Sequence, residues 1–212
     1  MEILRVEALT AYYEGKNSKK FYYPDFTIGK GRCLCIKGDT GCGKTTLLKA
    51  LFKKDFEGKA DYKSAQLVGK DIRSYGRDIY RVVSFMPQFS QNALNPSLTV
   101  EGHGKDVPGY NREGFLEMLA SLKLDEDVMN KYPYELSGGM KQRIVMLLGF
   151  LKSPSLYVMD EPSTAIDALT LKLILDFLRG MKEKGISILM VTHDFGFSKH
   201  IADEHIILQV LS

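Results

Sequence analysis

The clearest chemical pattern is a glycine-rich run that fits G-x-x-x-x-G-K-T and consists of Gly38, Asp39, Thr40, Gly41, Cys42, Gly43, Lys44 and Thr45, with Thr46 directly after it. Glycines at these positions let the backbone curl so that its N–H groups point at phosphate oxygens. A helix that begins after the run adds the positive end of its dipole. In such a loop Lys44 reaches the β- and γ-phosphates of a nucleotide and the Thr45 hydroxyl ligates Mg²⁺. The run therefore predicts a phosphate-binding loop.

A pair of carboxylates, Asp160 and Glu161, follows the apolar run Leu156–Met159. Asp160 is the second metal-side oxygen ligand that a phosphate-binding loop containing Thr45 requires. Glu161 can accept a proton from an attacking water or orient that water. Two acidic residues after an apolar run are by themselves equally typical of an exposed strand end. The presence of the phosphate-binding loop favours the chemical interpretation.

The elements that must position these residues are four short, nearly continuous apolar runs: Cys33–Ile36, Val82–Met86, Leu156–Met159 and Ile186–Val191. Such runs are typical of parallel strands that are covered on both faces. Helical patterns lie between them, so we expect a wound α/β fold. Ligands bind beyond the carboxyl ends of strands in such sheets, and the four runs lead to the glycine-rich loop, Gln88, Asp160 and His193. The strand ends are therefore expected to converge on one site.

The expected organisation is a single α/β domain over residues 1–212, with a P-loop core built on a mainly parallel sheet. Residues 1–32, approximately, alternate in a way that predicts antiparallel strands flanking the main sheet. The core is expected to comprise residues 33–88 and 137–212. Residues 89–136, approximately, break the α/β rhythm with prolines and glycines and predict a short helical insertion, with a helix over Phe115–Leu122.

The composition is that of an ordinary globular domain. Apolar residues make up 44% and charged residues 26%, and the net charge of +3 does not favour a nucleic-acid partner. No stretch approaches the roughly 18–20 apolar residues of a membrane-spanning helix, and the N-terminus lacks a signal-peptide pattern. The odd count of three cysteines argues against a disulfide framework, and we expect Cys33 and Cys35 to pack in a buried strand. The chain is therefore expected to stay in the cytosol, with any membrane contact made through a partner.

A third motif, Leu136-Ser-Gly-Gly-Met-Lys-Gln-Arg143, predicts a second helix start suited to anions. Ser137 is a favourable N-cap residue, and Gly138 and Gly139 permit a ligand to approach closely. The motif closely resembles the signature of ABC ATPases. The other motifs follow in that family's order, and the resemblance extends from about Leu4 to Leu208.

The resemblance implies that the chain binds ATP and Mg²⁺ and hydrolyses ATP. Gln88 is similar to the residue that senses Mg²⁺ and the attacking water, Glu161 to the catalytic base and His193 to the residue that contacts the γ-phosphate. Tyr13 occupies the position of the aromatic residue that stacks on adenine, with Tyr12 as its rival and packing in a strand as the alternative. Two subunits of this family pair head to tail, so that Ser137, Gly138 and Gly139 of one close over ATP on the other.

Finer motif details resemble the ATPases of peptide and nickel importers: Tyr132–Arg143, Ala93–Pro96 and Thr192–Gly196. That likeness implies integral membrane permease subunits, a second identical or paralogous cassette, a substrate-binding protein, and a peripheral location on the cytoplasmic side of the inner membrane. Lys37 departs from the usual apolar residue before the loop, and Ile166 departs from the usual leucine in the turn Ser163–Asp167. An ABC-type ATPase of a soluble assembly, such as a carbon–phosphorus lyase complex, is the alternative, and a P-loop kinase or GTPase is a third.

Overall fold

A computed structural model of the chain describes residues 1–13, 19–53, 56–163 and 167–209. The strands are β1 (Glu2–Glu7), β2 (Thr10–Tyr13), β3 (Lys20–Tyr22), β4 (Phe26–Gly29), β5 (Cys33–Lys37), β6 (Gly58–Asp61), β7 (Ser64–Leu67), β8 (Lys70–Asp71), β9 (Val83–Met86), β10 (Leu156–Asp160), β11 (Ser187–Thr192) and β12 (Glu204–Ile207). The α-helices are α1 (Lys44–Phe52), α2 (Ile79–Val82), α3 (Val100–Lys105), α4 (Arg112–Ser121), α5 (Gly138–Leu151), α6 (Ala168–Glu183) and α7 (Phe195–Lys199). Short 3₁₀ helices cover Ile72–Asp78, Ser90–Asn92, Glu126–Asn130 and Pro133–Glu135.

The four apolar runs form neighbouring strands of one parallel sheet, as predicted. The strand order is β12-β5-β11-β10-β9, and every pairing in it is parallel. All residues of β5, β10 and β11 are buried, which explains why their sequences are continuously apolar rather than alternating. The sheet contains one strand that the apolar runs do not indicate, because edge strand β12 is largely exposed.

Helices cover both faces of this sheet and form two hydrophobic clusters. Helix α1 packs on one face through Leu47 and Leu48, together with Leu34 and Ile36 of β5. Helices α5 and α6 pack on the opposite face, where a large set of apolar side chains is buried, including Ile144, Leu147, Phe150, Ile174 and Leu178. The predicted helical patterns are therefore the amphipathic faces of α1, α5 and α6.

Antiparallel strands form two further sheets, with orders β4-β1-β7-β8 and β3-β2-β6. Both sheets combine strands from the first 32 residues with strands from 58–71. Residues 58–71 thus belong to the antiparallel part of the fold and not, as expected, to the parallel core. Strands β6–β8 are only two to four residues long and consist largely of polar, charged or small residues, so they show no strong apolar pattern. Strand β6 pairs with β2, β7 pairs with β1 and β8 pairs with β7, and this pairing defines strands that the local sequence does not indicate.

The segment between β9 and α5 is short and helical. Helix α4 begins at Arg112, earlier than predicted, because the Asn111 side chain accepts a hydrogen bond of 2.7 Å from the Gly114 N–H and caps it. Phe115 and Leu119 of α4 are buried in the same cluster as α5. Among the described residues, no helix has both the length and the hydrophobicity required to cross a membrane.

Asp203 joins three parts of the core at the start of β12. Its carboxylate accepts hydrogen bonds from Lys182 Nζ on α6 (2.7 Å), the Cys33 N–H of β5 (2.7 Å) and Arg32 (3.0 Å). Burial acts to raise the pKa of Asp203, but the donors from Lys182, Cys33 and Arg32 outweigh it and hold the pKa below its ordinary value. The ionised carboxylate is therefore the form that stabilises the fold.

Replacement of Asp203 by asparagine is expected to lower the free energy of unfolding by about 1–3 kcal/mol at neutral pH, because charge-assisted hydrogen bonds are lost. Since the folded-state pKa is depressed, this stabilisation is present above the unfolded pKa of about 4 and is lost as the pH falls through the folded pKa. Urea unfolding at pH 7 and pH 3 measures both effects. Asp176→Asn removes an exposed pair with Arg179 and is the control. A constant difference between wild type and Asp203→Asn at both pH values would contradict the assignment.

Candidate functional site

The glycine-rich run forms the turn between β5 and α1, and two of its glycines have no room for a side chain. Gly43 caps α1 in the left-handed conformation (φ 99°), and a Cβ atom there would lie 2.5 Å from Cδ1 of Phe21. Gly38 has φ 154°, and a Cβ atom there would lie 2.5 Å from the backbone oxygen of Leu208. The loop is therefore fixed by its neighbours as well as by its own sequence.

Lys44 is buried and its ammonium lies within the curve of the loop. Nζ donates hydrogen bonds to the backbone oxygens of Gly38 (2.7 Å) and Asp39 (3.1 Å), and it lies 3.9 Å from Oε1 of Glu161. A buried cation held by carbonyl oxygens, directly beside a helix N-terminus, is suited to bind the negative charge of a phosphate.

Thr45 and Asp160 lie side by side, one from α1 and the other from the end of β10. The Thr45 hydroxyl donates to Oδ1 of Asp160 at 3.2 Å. Burial raises the pKa of Asp160, and the hydrogen bond from Thr45 acts in the opposite direction. Among the described residues there is no group of three or more His, Cys, Asp and Glu that could hold a metal alone. A hydroxyl next to one carboxylate fits Mg²⁺, because that ion typically takes few protein oxygens and completes its shell with phosphate and water.

Glu161 is the most constrained acidic residue of the site. Its Oε2 accepts hydrogen bonds from Thr192 Oγ1 (2.9 Å), the His193 N–H (3.3 Å) and His193 Nδ1 (2.9 Å). Its backbone has a positive φ of 51°, which is unfavourable for a residue with a side chain, and its N–H donates to Val191 O. Because strain of about 1–3 kcal/mol persists only where the surroundings impose it, the side chain is held in place by β11 and the residue after it.

One cavity of about 250 Å³ brings together residues from five separate parts of the chain. It is lined by the predicted residues Thr40, Gly41, Gly43, Lys44, Thr45, Thr46, Gln88, Glu161 and His193, and also by Phe21. His193 is largely exposed at its mouth. Gln88 lies two residues beyond β9, and Phe89 after it has a positive φ of 56°. The expected convergence of strand ends is present in the fold.

Other predicted residues lie outside this cavity. Ser137 caps α5 by accepting from the Met140 N–H at 3.3 Å. Gly138 is exposed and Gly139 half-buried, and a Cβ atom added to either glycine would meet nothing within 4 Å. The Tyr13 ring packs edge-on against Phe56 at 5.2 Å and lines a neighbouring cavity of about 210 Å³.

The remaining expectations fall at the edges of the site. The Tyr12 ring contacts Lys20, whose Nζ lies 5.8 Å from the ring centre. Cys42 is buried behind the loop, where it lines a different cavity with Leu208. Cys33 and Cys35 are buried free thiols, and burial raises the pKa of Cys35 to about 11. In the turn Ser163–Asp167, residues 164–166, including Ile166, lie outside the described residues.

Two residues of the site region escape sequence reasoning. Gln142, buried on α5, donates to the backbone oxygen of Pro162 at 2.8 Å and so joins the α5 helix to the segment after Glu161. Its place inside the Leu136–Arg143 motif is the signal that could have indicated it. Phe21 lines the cavity from a separate sheet, and no local pattern distinguishes it from other strand aromatics.

The fold and the site together define a P-loop nucleotide-binding protein, with a buried lysine, a threonine–aspartate pair and a glutamate at the ends of parallel strands. The family model described as "ABC transporter" matches residues 23–164. The chain therefore belongs to the ABC transporter family of ATPases.

Relatives with curated names are ATP-binding proteins of transporters. The dipeptide transport protein DppD of Caldanaerobacter subterraneus is 30% identical over 95% of the chain and 68% of its own length. The oligopeptide transport protein AppD of Bacillus subtilis is 31% identical over 87% of the chain and 62% of its length. The carnitine transport protein OpuCA of Listeria monocytogenes is 30% identical over 98% of the chain, which spans only 53% of that protein.

Solved structures have the same fold. An ATP-binding subunit of an ABC transporter superposes with a TM-score of 0.80 at 23% identity, covering 98% of this chain and 86% of that one. The cassette MJ0796, solved as a dimer with ADP and Pi, has a TM-score of 0.77 at 24% identity over 98% of this chain and 94% of its own.

Replacement of Lys44 by alanine is expected to lower MgATP affinity by about 10- to 100-fold, because charge-assisted hydrogen bonds to phosphate are lost. Isothermal titration calorimetry measures the change. Lys70→Ala removes the same charge from exposed strand β8 and is the control. An unchanged dissociation constant in Lys44→Ala would remove the glycine-rich run from nucleotide binding.

Proposed function

We propose that this chain binds and hydrolyses ATP to power the import of a solute through a separate membrane permease. The observation that carries the proposal is the single cavity in which Lys44, Thr45, Gln88, Glu161 and His193 meet. Lys44 and Thr45 begin α1 directly after the glycine-rich loop, and the other three residues follow the ends of β9, β10 and β11. Each has a chemical task in phosphoryl transfer. The curated relatives are transport proteins, which favours a transporter over an ATPase of a soluble assembly.

Within this site the cationic and N–H groups bind phosphate, and the carboxylates bind Mg²⁺ or accept a proton. Lys44 and the N–H groups at the start of α1 bind the phosphates, and Thr45 and Asp160 would hold Mg²⁺, which neutralises phosphate charge when bound. The three donors to Oε2 of Glu161 leave Oε1 facing the Lys44 side of the cavity. That oxygen is the one available to take a proton from water, and His193 orients the carboxylate.

A second cassette completes the site in this proposal. The N-terminus of α5 is exposed at Ser137 and Gly138, and neither Gly138 nor Gly139 lines the cavity of its own chain. Open space around the Cα atoms of both glycines suits a close approach of phosphate to the positive end of a 14-residue helix. We assign Ser137, Gly138 and Gly139 to the ATP bound by a partner cassette, identical or paralogous.

The decisive substitution for hydrolysis is Glu161→Gln. Glutamine keeps the shape and an acceptor oxygen for Thr192 and His193, but it cannot take a proton. Turnover is therefore expected to fall by at least about 100-fold while MgATP affinity changes little. Single-turnover hydrolysis in the reconstituted transporter measures the first quantity and calorimetry the second.

Glu183→Gln, which changes an exposed carboxylate at the end of α6, is the matched control and should hydrolyse ATP at the wild-type rate. If Glu161→Gln retained near wild-type single-turnover hydrolysis with the partner site disabled, Glu161 would have no role as the base.

A groove beside β9 supports a permease contact. It has a volume of about 700 Å³, and its apolar lining includes Tyr80, Phe85, Val107, Val145 and Leu148. Strand β9 extends from this groove at Phe85 toward Gln88 in the ATP cavity. A permease segment seated in the groove would thus be connected to the nucleotide by four residues of chain. We propose that Gln88 couples the two sites.

Val107→Glu is expected to weaken association with the permease by about tenfold or more, because a carboxylate would be buried against an apolar segment. MgATP affinity should stay within about twofold of wild type. Co-purification from detergent and nucleotide calorimetry measure the two effects, with Tyr22→Glu on the exposed outer face of β3 as control. Equal retention of the permease by both variants would contradict the docking assignment.

The names of the relatives indicate only a broad class of transported solute. Proteins named for dipeptides, oligopeptides, carnitine and aliphatic sulfonates match at 30–32% identity. All of these solutes are small organic molecules. We propose peptides as the first class to test, delivered by a substrate-binding protein, with the chain bound to the cytoplasmic face of the membrane.

A further inference from the structure

The segment Lys19–Tyr23, here called the strap, contacts the glycine-rich loop through alternate residues. Lys19 Nζ donates to the Gly41 oxygen at 3.3 Å, and the Tyr23 hydroxyl donates to the Gly43 oxygen at 2.9 Å. Between them the Phe21 ring lies against Gly43, leaving no room for a Cβ atom. Because side chains alternate along a strand, residues 19, 21 and 23 share the face that meets the loop.

Phe21 differs from its two neighbours because it also reaches the nucleotide cavity. Among the described residues that line this cavity, it has the only large apolar side chain, and the others offer glycine backbone, hydroxyl, amide or charged groups. The polar groups account for the phosphates. An apolar ring there has no favourable partner in a phosphate chain, but it has one in the flat face of a base or ribose.

The register of the sheet sets Phe21 beside Tyr13. Phe21 pairs with Ala11 of β2, and Tyr13 lies two residues further along the same strand, so both rings project from one face. The Tyr13 ring packs edge-on against Phe56 and lines the cavity next to the one that Phe21 lines. A nucleotide whose phosphates occupy the Phe21 cavity would therefore extend along the sheet face that carries both rings.

The Phe21 ring is flanked along the strand by Lys19 and Tyr23. Lys19 Nζ lies 5.3 Å from the ring centre, and the Tyr23 ring is stacked at 6.4 Å with an interplanar angle of 21°. Tyr23 is itself buried and bonded to the loop. The ring is therefore preorganised, which lowers the entropic cost of using it in binding.

We propose that Phe21 is a second aromatic contact for the nucleotide, on the same sheet face as Tyr13 and binding the base and ribose end, while Lys19 and Tyr23 hold the loop. The inference rests on the proposed ATP-binding function and names the part of the nucleotide that the strap recognises. Because every base has a flat face, this contact adds affinity for ATP and GTP alike.

The test compares nucleotides with inorganic tripolyphosphate, which has the phosphates but neither base nor ribose. Calorimetry on the full chain with Mg²⁺ measures the affinity of ATP, GTP and tripolyphosphate for wild type, Phe21→Leu and Tyr22→Ala. Leucine keeps apolar volume against Gly43 and removes the flat ring. Tyr22 is 57% exposed on the opposite face of β3 and provides the matched control.

Phe21→Leu is expected to weaken ATP and GTP by about 5- to 100-fold each and to leave tripolyphosphate within about twofold. Tyr22→Ala should change none of the three. Equal losses for ATP and tripolyphosphate would overturn the inference, because Phe21 would then only support the loop. Unchanged ATP affinity would overturn it as well. A wild-type chain that binds neither ATP nor tripolyphosphate would instead refute the proposed function.

Discussion

Burial of three charged side chains at one edge of the parallel sheet is the constraint on which the rest of the structure depends. Lys44, Asp160 and Glu161 are 8%, 3% and 8% exposed. Removing each ion from water costs several kcal/mol unless hydrogen bonds and opposite charges compensate. The compensation comes from the loop carbonyls, the Thr45 hydroxyl and the end of β11. Strand order and register are thus tied to the chemistry, since a shift of one residue would leave a buried charge without partners.

The sequence could predict those parts of the fold whose signal is local. Strands buried on both faces are continuously apolar, and helices on such a sheet are amphipathic, so β5, β9, β10, β11, α1, α5 and α6 were identifiable. The short strands β6–β8 and the exposed edge strand β12 gain their structure from pairing, which a local pattern does not record. Among the site residues, those in the glycine-rich run and at strand ends were predictable from type and position. Phe21 was not predictable, because its contact with Gly43 joins a strand of one antiparallel sheet to the loop that follows a strand of the parallel sheet.

Lys37 shows how a departure from a family pattern can be accommodated. It ends β5 directly before the loop and is 7% exposed, at a position where the family pattern has an apolar residue. Its Nζ lies 4.7 Å from the centre of the Phe195 ring, the first residue of α7. A cation–π contact of this kind stabilises by about 0.5–2 kcal/mol. The same contact joins the residue before the glycine-rich loop to the segment just after His193. It therefore connects two of the chain segments that form the site.

Contacts from the strand β3 segment and from the end of β12 restrict the conformation of the glycine-rich loop. Gly38 is packed against Leu208 O, Gly41 is bonded by Lys19 and Gly43 is bonded by Tyr23. A run rich in glycine loses much conformational entropy when it is ordered, and contacts made before the nucleotide arrives remove that cost from binding. Dipoles already aimed at a phosphate also need no reorganisation during reaction. The strand that faces the loop is therefore part of the phosphate site, although its own sequence carries no phosphate-binding motif.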